Sequence, residues 1–527
     1  MAEHIEPNPN HAAFTEKNLT GTSVEASRAY EGVDTEKVPS RTSAEATRAH
    51  AGVDVADVVH VHATPEQEKK VLRKIDLHII PIMATCYMLQ YMDKVTLGYT
   101  TQLGLPTDLK LHGSQYSWCS SIFYFGYIFW SWPSGYISVR FPIGKYLGVS
   151  VALWGAVLMT HAATRSFGGL LTARFFLGVT EAAVAPGFSL ITGMFYKRRE
   201  QPSRMCLWFL GNAVANVVSG LIAYGIGKIH SPIDSWKLLF IILGAVTSAY
   251  GIFLVFVLPD SPARAWFLTT EERRIALHRT LENKTGVLDE GTFKIQQMWE
   301  ALRDPQAWLL VGYSLTQNIP NGGFSSFSSI IINGFGFSHL NTLLVGAPGG
   351  LLQIFALGCI CLAAKYVKKS RIITMIIVIL FALVGVIVMV TLPKSHKWGR
   401  WAGIFLLGPF ASSIPVSLSL ITSNVGGITK KATVSAMLFI AYCTGNIIGP
   451  QLFLTRESPT YPTGLRGVLV GFSLAIFFLV LLYIYYTFEN RRRDRKYGPA
   501  PEGPDEYVAE ELINLTDRQN PGFRYTF

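Results

Sequence analysis

Hydrophobic residues along this chain gather into windows of roughly nineteen residues or more, the length a helix needs to cross about 30 Å of hydrocarbon. Such windows fall near 76–100, 115–139, 146–164, 168–195, 204–228 and 237–258, and again near 307–331, 343–366, 371–392, 400–422, 432–454 and 466–488. Polar residues of mixed charge separate the two sets. The pattern predicts an all-α membrane protein of twelve transmembrane helices in two six-helix halves, 73–258 and 306–489, joined by a central loop at 259–305. Residues 1–72 are polar and without helical or strand periodicity, which reads as a disordered tail, and 490–527 form a second tail. Within the first tail, SVEASRAYEGVD at 23–34 returns as SAEATRAHAGVD at 43–54. Two such polar copies are too few to stack as a solenoid, and a neutral duplication is the simpler reading.

Composition agrees with a multi-pass chain: half of the residues are hydrophobic and only 15% are charged. The formal charge of +11 would suit nucleic-acid binding if it formed one patch, but the basic residues lie in short clusters between apolar windows. They include Arg140/Lys145, Lys197/Arg198/Arg199, Arg264 with Arg273, Arg274 and Arg279, Lys365/Lys368/Lys369/Arg371, Lys430/Lys431, and Arg491 to Lys496 after the last window. All fall on one face, so the excess is topological and both termini are expected in the cytosol, with no nucleic-acid partner. The other face is sparser, Lys394, Lys397 and Arg400 being its densest group. The Asn-x-Ser/Thr acceptors at Asn18, Asn283 and Asn514 all fall on expected cytosolic segments. Insertion is expected to use the first transmembrane helix, since no signal peptide precedes it.

The six cysteines all lie inside apolar windows and read as packing residues, with no metal or cofactor site implied. No nucleophile triad, metal-ligand cluster or phosphate loop appears in the spans, so an enzyme is not expected.

Charges inside the windows carry the functional argument. In RFFLGVTEAAVAPGF (174–188), Arg174 and Glu181 are seven residues apart, which puts them on one helix face about 10 Å apart along the axis. Each charge at a bilayer centre costs about 2.5–3.5 kcal/mol on insertion scales, so both must face protein or water. Asp93 and Lys94 place an acid beside a base in the first window. Asn318, Asn321 and Gly322-Gly323 interrupt the seventh, where polar backbone is tolerated only beside a cavity. Asn446 lies within Gly445-x-x-x-Gly449, a spacing that serves helix packing first. Gly211, Gly220, Gly225 and Gly227 read as packing too, and His78, His161 and the tryptophans as interfacial or packing residues.

Several longer phrases add a resemblance. Tyr91-Met92-Asp93-Lys94 is similar to the Tyr-x-Asp-Arg phrase of the anion:cation symporter family of the major facilitator superfamily, and RFFLGVTE to that family's Arg-x6-Glu pattern. LPDSPARAWFLTTEER (258–273), NIPNGGFSSFSSIIINGFGFS (318–338) and TKKATVSAMLFIAYCTGNIIGPQLF (429–453) resemble its fungal allantoate permease branch. The resemblance covers about residues 73–490. It implies proton-coupled uptake of a small organic anion, such as a ureide, vitamin acid or dipeptide, across the plasma membrane by a monomer working through alternating access. Position by position, Arg174 matches the arginine that engages the substrate carboxylate, Tyr91 a substrate-facing tyrosine, Glu181 and Asp93 the proton-carrying acids, and Lys94 a basic relay; Asn321 and Asn446 are further substrate-binding candidates. The division is chemically sound: a guanidinium stays charged and offers a fork to a carboxylate, whereas carboxyl groups gain or lose a proton as their surroundings change. Four positions depart from the pattern: Lys94 stands in place of arginine, Val139 and Pro142 in place of the superfamily loop's aspartate and glycine, and Leu243 where glutamate is frequent. Two alternatives stay open, an exporter or facilitator of a secondary metabolite with proton antiport, and a transporter-derived nutrient sensor.

Overall fold

The computed structural model describes residues 63–197, 200–281, 293–367, 370–393, 395–499 and 515–527. The duplicated phrase, the three glycosylation acceptors and Arg198, Arg199, Lys368, Lys369 and Lys394 lie outside the described residues. Twelve long helical segments follow one another: α1 (Pro65–Thr100), α2 (Gln115–Arg140), α3 (Ile143–Thr160), α4 (Phe167–Glu181, resuming as Val184–Phe195), α5 (Gln201–Gly227) and α6 (Ser235–Val257). The second half comprises α7 (Pro305–Asn333), α8 (His339–Val345, resuming as Pro348–Tyr366), α9 (Arg371–Thr391), α10 (Lys397–Leu407 and Ser413–Asn424, bridged by the 3-10 turn Gly408–Ser412), α11 (Ile428–Gln451) and α12 (Pro462–Tyr497). The fold is all-α, and each half has its own apolar core. With an even number of crossings, α1 and α12 begin and end at one face, termed here the tail face; the opposite side is the far face.

Among the described residues nine segments are long and apolar enough to cross a membrane by length and composition alone. The other three are α1, α2 and α7, whose buried polar residues lower their hydropathy: Gln90, Asp93, Thr96 and Thr100 on α1, Ser117, Ser120 and Ser121 on α2, and Gln317, Asn318 and Asn321 on α7. A helix whose polar stripe faces protein need not be apolar all round. Close approach of α2 and α4 depends on glycine: a Cβ at Gly126 would fall on the carbonyl of Phe175, and one at Gly178 on the carbonyl of Phe123. The Gly445-x-x-x-Gly449 phrase does the same for α11 against α7, its glycines meeting the carbonyls of Leu315 and Ile319.

Three features differ from the hydropathy reading. Helix α1 starts at Pro65, inside the expected tail, because Thr64 and Gln67 form a reciprocal capping box and Glu68 is held by Lys197 at 3.1 Å. The central loop contains two short helices, Thr270–Leu281 and Ile295–Leu302, each docked on a different half through Arg279–Glu200 (2.7 Å) and Glu300–Lys430 (2.9 Å). Residues 515–527 fold back onto the second half. At the start of α3 the backbone N–H of Gly144 donates to Asp260 at 3.0 Å.

Candidate functional site

Arg174 lies two turns inside α4, roughly 10 Å from its far-face start. It is 3% exposed, its Nε donates to the Cys119 carbonyl at 3.3 Å, and its guanidinium lies 5.8 Å from the Phe123 ring. Its Nη1 is buried without a hydrogen-bond partner. Beside it is a cavity of about 10 Å³, room for about one water, lined by Lys94, Ser120, Phe123, Tyr124, Arg174, Ser325 and Ser326. The cavity therefore takes walls from both halves. Lys94 projects into it with its Nζ 5.5 Å from the Tyr124 ring and 5.8 Å from that of Tyr442, so one ammonium is faced by one aromatic ring from each half.

The two acids point inward but away from the cavity wall. Glu181, 4% exposed, ends the first piece of α4 and is faced by Gln90 and Lys94 of α1, with Oε2 unpaired. Asp93, 0% exposed, is turned from Lys94 by one helical step into the first half, where Thr247 of α6 donates to Oδ2 at 3.5 Å and Trp154 of α3 stands beside it. Its Oδ1 has no partner. Among the described residues, none of Asp93, Lys94, Arg174 and Glu181 has an opposite charge within 4.0 Å. Four ionisable groups, Asp93, Arg174 and Glu181 buried and Lys94 half-buried, thus share one region without locking into ion pairs, a costly arrangement for a purely structural network.

The remaining expected site residues are placed differently. Tyr91 faces Asn216 of α5 and does not line the cavity. Asn446 is a hub: its Oδ1 accepts from Asn321 Nδ2 (2.8 Å) and Tyr124 OH (3.1 Å), and its Nδ2 donates to Asn318 Oδ1 (3.2 Å) and the Tyr442 carbonyl (2.8 Å). The hub ties α7 and α11 to the Tyr124 wall, one layer behind the cavity. The sequence reading missed Ser120, Phe123, Tyr124, Ser325 and Ser326. For the three on α2 the signal was the spacing of Ser120, Phe123, Tyr124 and Tyr127 along one helix face, which repeats at three and four residues.

The cavity is closed on both sides by different chemistry. Toward the far face the halves are joined by hydrogen bonds: Ser329 Oγ to the Gly98 carbonyl (2.5 Å), Tyr116 OH to the Ser326 carbonyl (2.7 Å), Gln102 to His339 (2.9 Å) and Thr455 Oγ1 to the Gly113 carbonyl (2.6 Å). Toward the tail face hydrogen bonds join α5 to α8, Gln353 Nε2 donating to Asn212 Oδ1 (2.9 Å) and Asn216 Nδ2 to Gln353 Oε1 (2.8 Å), and rings close α2 on α11. Tyr127 of α2 meets Phe439 of α11 at 5.3 Å between ring centroids, and Tyr124 meets Tyr442 at 6.1 Å.

These features define a multi-pass membrane transporter whose polar, two-sided site lies between two six-helix halves. Residues 83–450 match the model of the Major Facilitator Superfamily. The chain belongs to that superfamily, in the branch that includes the fungal allantoate permease. A transporter of Schizosaccharomyces pombe without an assigned substrate is 39% identical over 464 residues, covering 88% of this chain and 87% of that one. The allantoate permease of Saccharomyces cerevisiae is 35% identical, covering 88% of each chain. In fold, the crystal structure of a D-xylose–proton symporter overlays with a TM-score of 0.59 at 13% identity, covering 77% of this chain and 97% of that one.

Proposed function

We infer that the protein imports a small organic anion together with protons, by alternating access, across the plasma membrane with both termini in the cytosol. One observation carries the reading: the Arg174 guanidinium is buried beside a cavity, retains an unpaired Nη1, and has no carboxylate within 4.0 Å. A buried fork without its anion is poised for one from outside the protein. Charge counting supports proton coupling. With both acids ionised, Arg174 and Lys94 balance Asp93 and Glu181, so a bound monoanion leaves one negative charge in a dry site and favours uptake of a proton there. The same proton cancels the cost, about 2.3 kcal/mol, of carrying a monoanion inward against about 100 mV. The clustering of basic residues at the tail face supports the orientation, and the allantoate permease's name supports a ureido carboxylate among the candidates.

The test is a thermal-shift panel of small carboxylates and their amides on purified protein, followed by uptake of any hit into vesicles under an imposed pH gradient. Stabilisation by the acids alone, and accumulation that rises as the outside is acidified, are expected. Extrusion driven by inward proton flow would replace the reading with antiport export. Ligand binding without flux in either direction would replace it with a sensor.

A further inference from the structure

Residues 515–527, which composition assigns to a polar tail, are anchored by a buried ionic cluster. Asp517 is 0% exposed; its Oδ1 accepts from Lys430 Nζ at 2.6 Å and from the Gly426 N–H at 3.2 Å, and its Oδ2 from Tyr525 OH at 2.8 Å and Gln306 Nε2 at 3.2 Å. Lys430, also 0% exposed, spends its other protons on Asp304 at 2.7 Å and Glu300 at 2.9 Å. Arg518 reaches Asp304 at 3.2 Å, and Thr516 Oγ1 donates to Glu300 at 3.0 Å. Arg493 Nη1 donates to the carbonyls of Asp517 (2.8 Å) and Asn520 (3.1 Å). An aromatic end completes the docking: Tyr525 stacks on Tyr486 at 4.9 Å and 6°, and Phe527 packs against Tyr483.

One segment thereby binds the tail-face ends of α7, α10, α11 and α12 and the helix Ile295–Leu302. The first half has a counterpart in the segment that follows its own sixth helix. There Arg279 of Thr270–Leu281 pairs with Glu200 and Glu68, and Glu272 with Lys74. Each half is closed at the tail face by chain that follows its sixth helix.

Helix α11 connects this docking to the transport site. Its first turn carries Lys430, its middle carries Phe439 and Tyr442 of the aromatic closure, and Asn446 lies one turn beyond. We propose that residues 515–527 are an autoregulatory clasp: docked, they fix the tail-face end of α11 and keep the aromatic closure shut, and displaced, they release that end and open the site toward the tail face. Releasing Asp517 removes one of three carboxylates from Lys430, and water then reaches the loop between α10 and α11. The segment acts through α11 and touches no cavity residue, so its effect is on gating and not on recognition.

Hydrogen exchange of the full chain tests this against three variants: deletion of 515–527, Asp517→Asn and Tyr525→Ala. Deletion is expected to speed exchange of α11 amides at 428–442 by about tenfold, with smaller rises for the two substitutions, while α1–α6 keep their protection. A synthetic peptide of sequence LTDRQNPGFRYTF, added to the deleted chain, is expected to restore protection of α11. Unchanged exchange in 428–442 on deletion, failure of the peptide to restore it, or an equal rise across α1–α6 in all three variants would overturn the proposal. These readouts need no substrate, so their failure is separate from failure of the anion-import reading.

Discussion

Replacing Arg174 by lysine keeps the charge and removes the fork, which makes it the sharpest probe of the site. The guanidinium is held on one side by its Nε bond to the Cys119 carbonyl and lies 5.8 Å from the Phe123 ring, leaving Nη1 free beside the cavity. A lysine ammonium has no planar face for Phe123 and cannot anchor to Cys119 while also offering two parallel donors to a carboxylate. The loss is that of a charge-assisted hydrogen bond, about 1.5–3 kcal/mol, or roughly 10- to 150-fold in affinity. The assay is the dissociation constant of a carboxylate that stabilises the wild type, measured beside its primary amide. Arg174→Lys should weaken the acid by that factor and leave the amide within about twofold. Equal losses for acid and amide, or wild-type affinity for the acid, would refute carboxylate recognition by Arg174.

Other expectations are more local. Glu181→Gln should leave anion binding within about threefold and abolish pH-driven accumulation, read by equilibrium binding and vesicle uptake on the same preparation. Asn446→Ala leaves Tyr124, Asn321 and Asn318 without their shared partner, and should lower thermal stability by about 1–3 kcal/mol for the group with the largest unmet bond, measured by thermal unfolding in detergent. Gly178→Leu forces a side chain onto the Phe123 carbonyl, so helix separation should displace the cavity wall and abolish ligand-induced thermal shift even where protein is recovered. Burial raises the Asp517 carboxyl above its ordinary range, with Lys430 opposing and Asp304 adding to the effect.

The twelve crossings were legible because a lipid-facing helix cannot hide its composition. Arg174 and Glu181 were legible for the same reason, since a charge in such a window has few places to go. What adjacent charges do to each other was not legible. Asp93 and Lys94 are neighbours in sequence, yet a single helical step sends one to Thr247 in the first half and the other to Tyr442 in the second. Nor could Asn446 be sorted between packing and binding, because that depends on α7 bringing Asn318 and Asn321 against it. The docking of 515–527 left no trace in periodicity: it is built from single residues, each reaching a different helix end.

The two closures around the cavity differ in what opening each would break. On the far side the halves are joined by short hydrogen bonds to backbone carbonyls, reinforced by Gly220, where a Cβ would strike the Leu343 carbonyl. Such contacts need defined geometry and are lost together when the halves rock apart. On the tail side Gln353 of α8 is hydrogen-bonded to Asn212 and Asn216 of α5, and rings from α2 and α11 meet edge-on or tilted, each such aromatic contact worth about 0.5–1.5 kcal/mol. A cavity with room for about one water cannot hold an organic anion, so the structure is a closed form. Lys94 sits beside the aromatic contact, its ammonium 5.5 Å from the Tyr124 ring and 5.8 Å from that of Tyr442. On the proposed anion import, an anion paired with Arg174 would draw the Lys94 ammonium toward its own charge and away from Tyr442, loosening the aromatic contact. Under this scheme Tyr442→Phe, which keeps the ring, should preserve coupling, whereas Tyr442→Ala should raise substrate-independent leak of protons in vesicles. A leak equal to wild type in the alanine variant would remove Tyr442 from the gate.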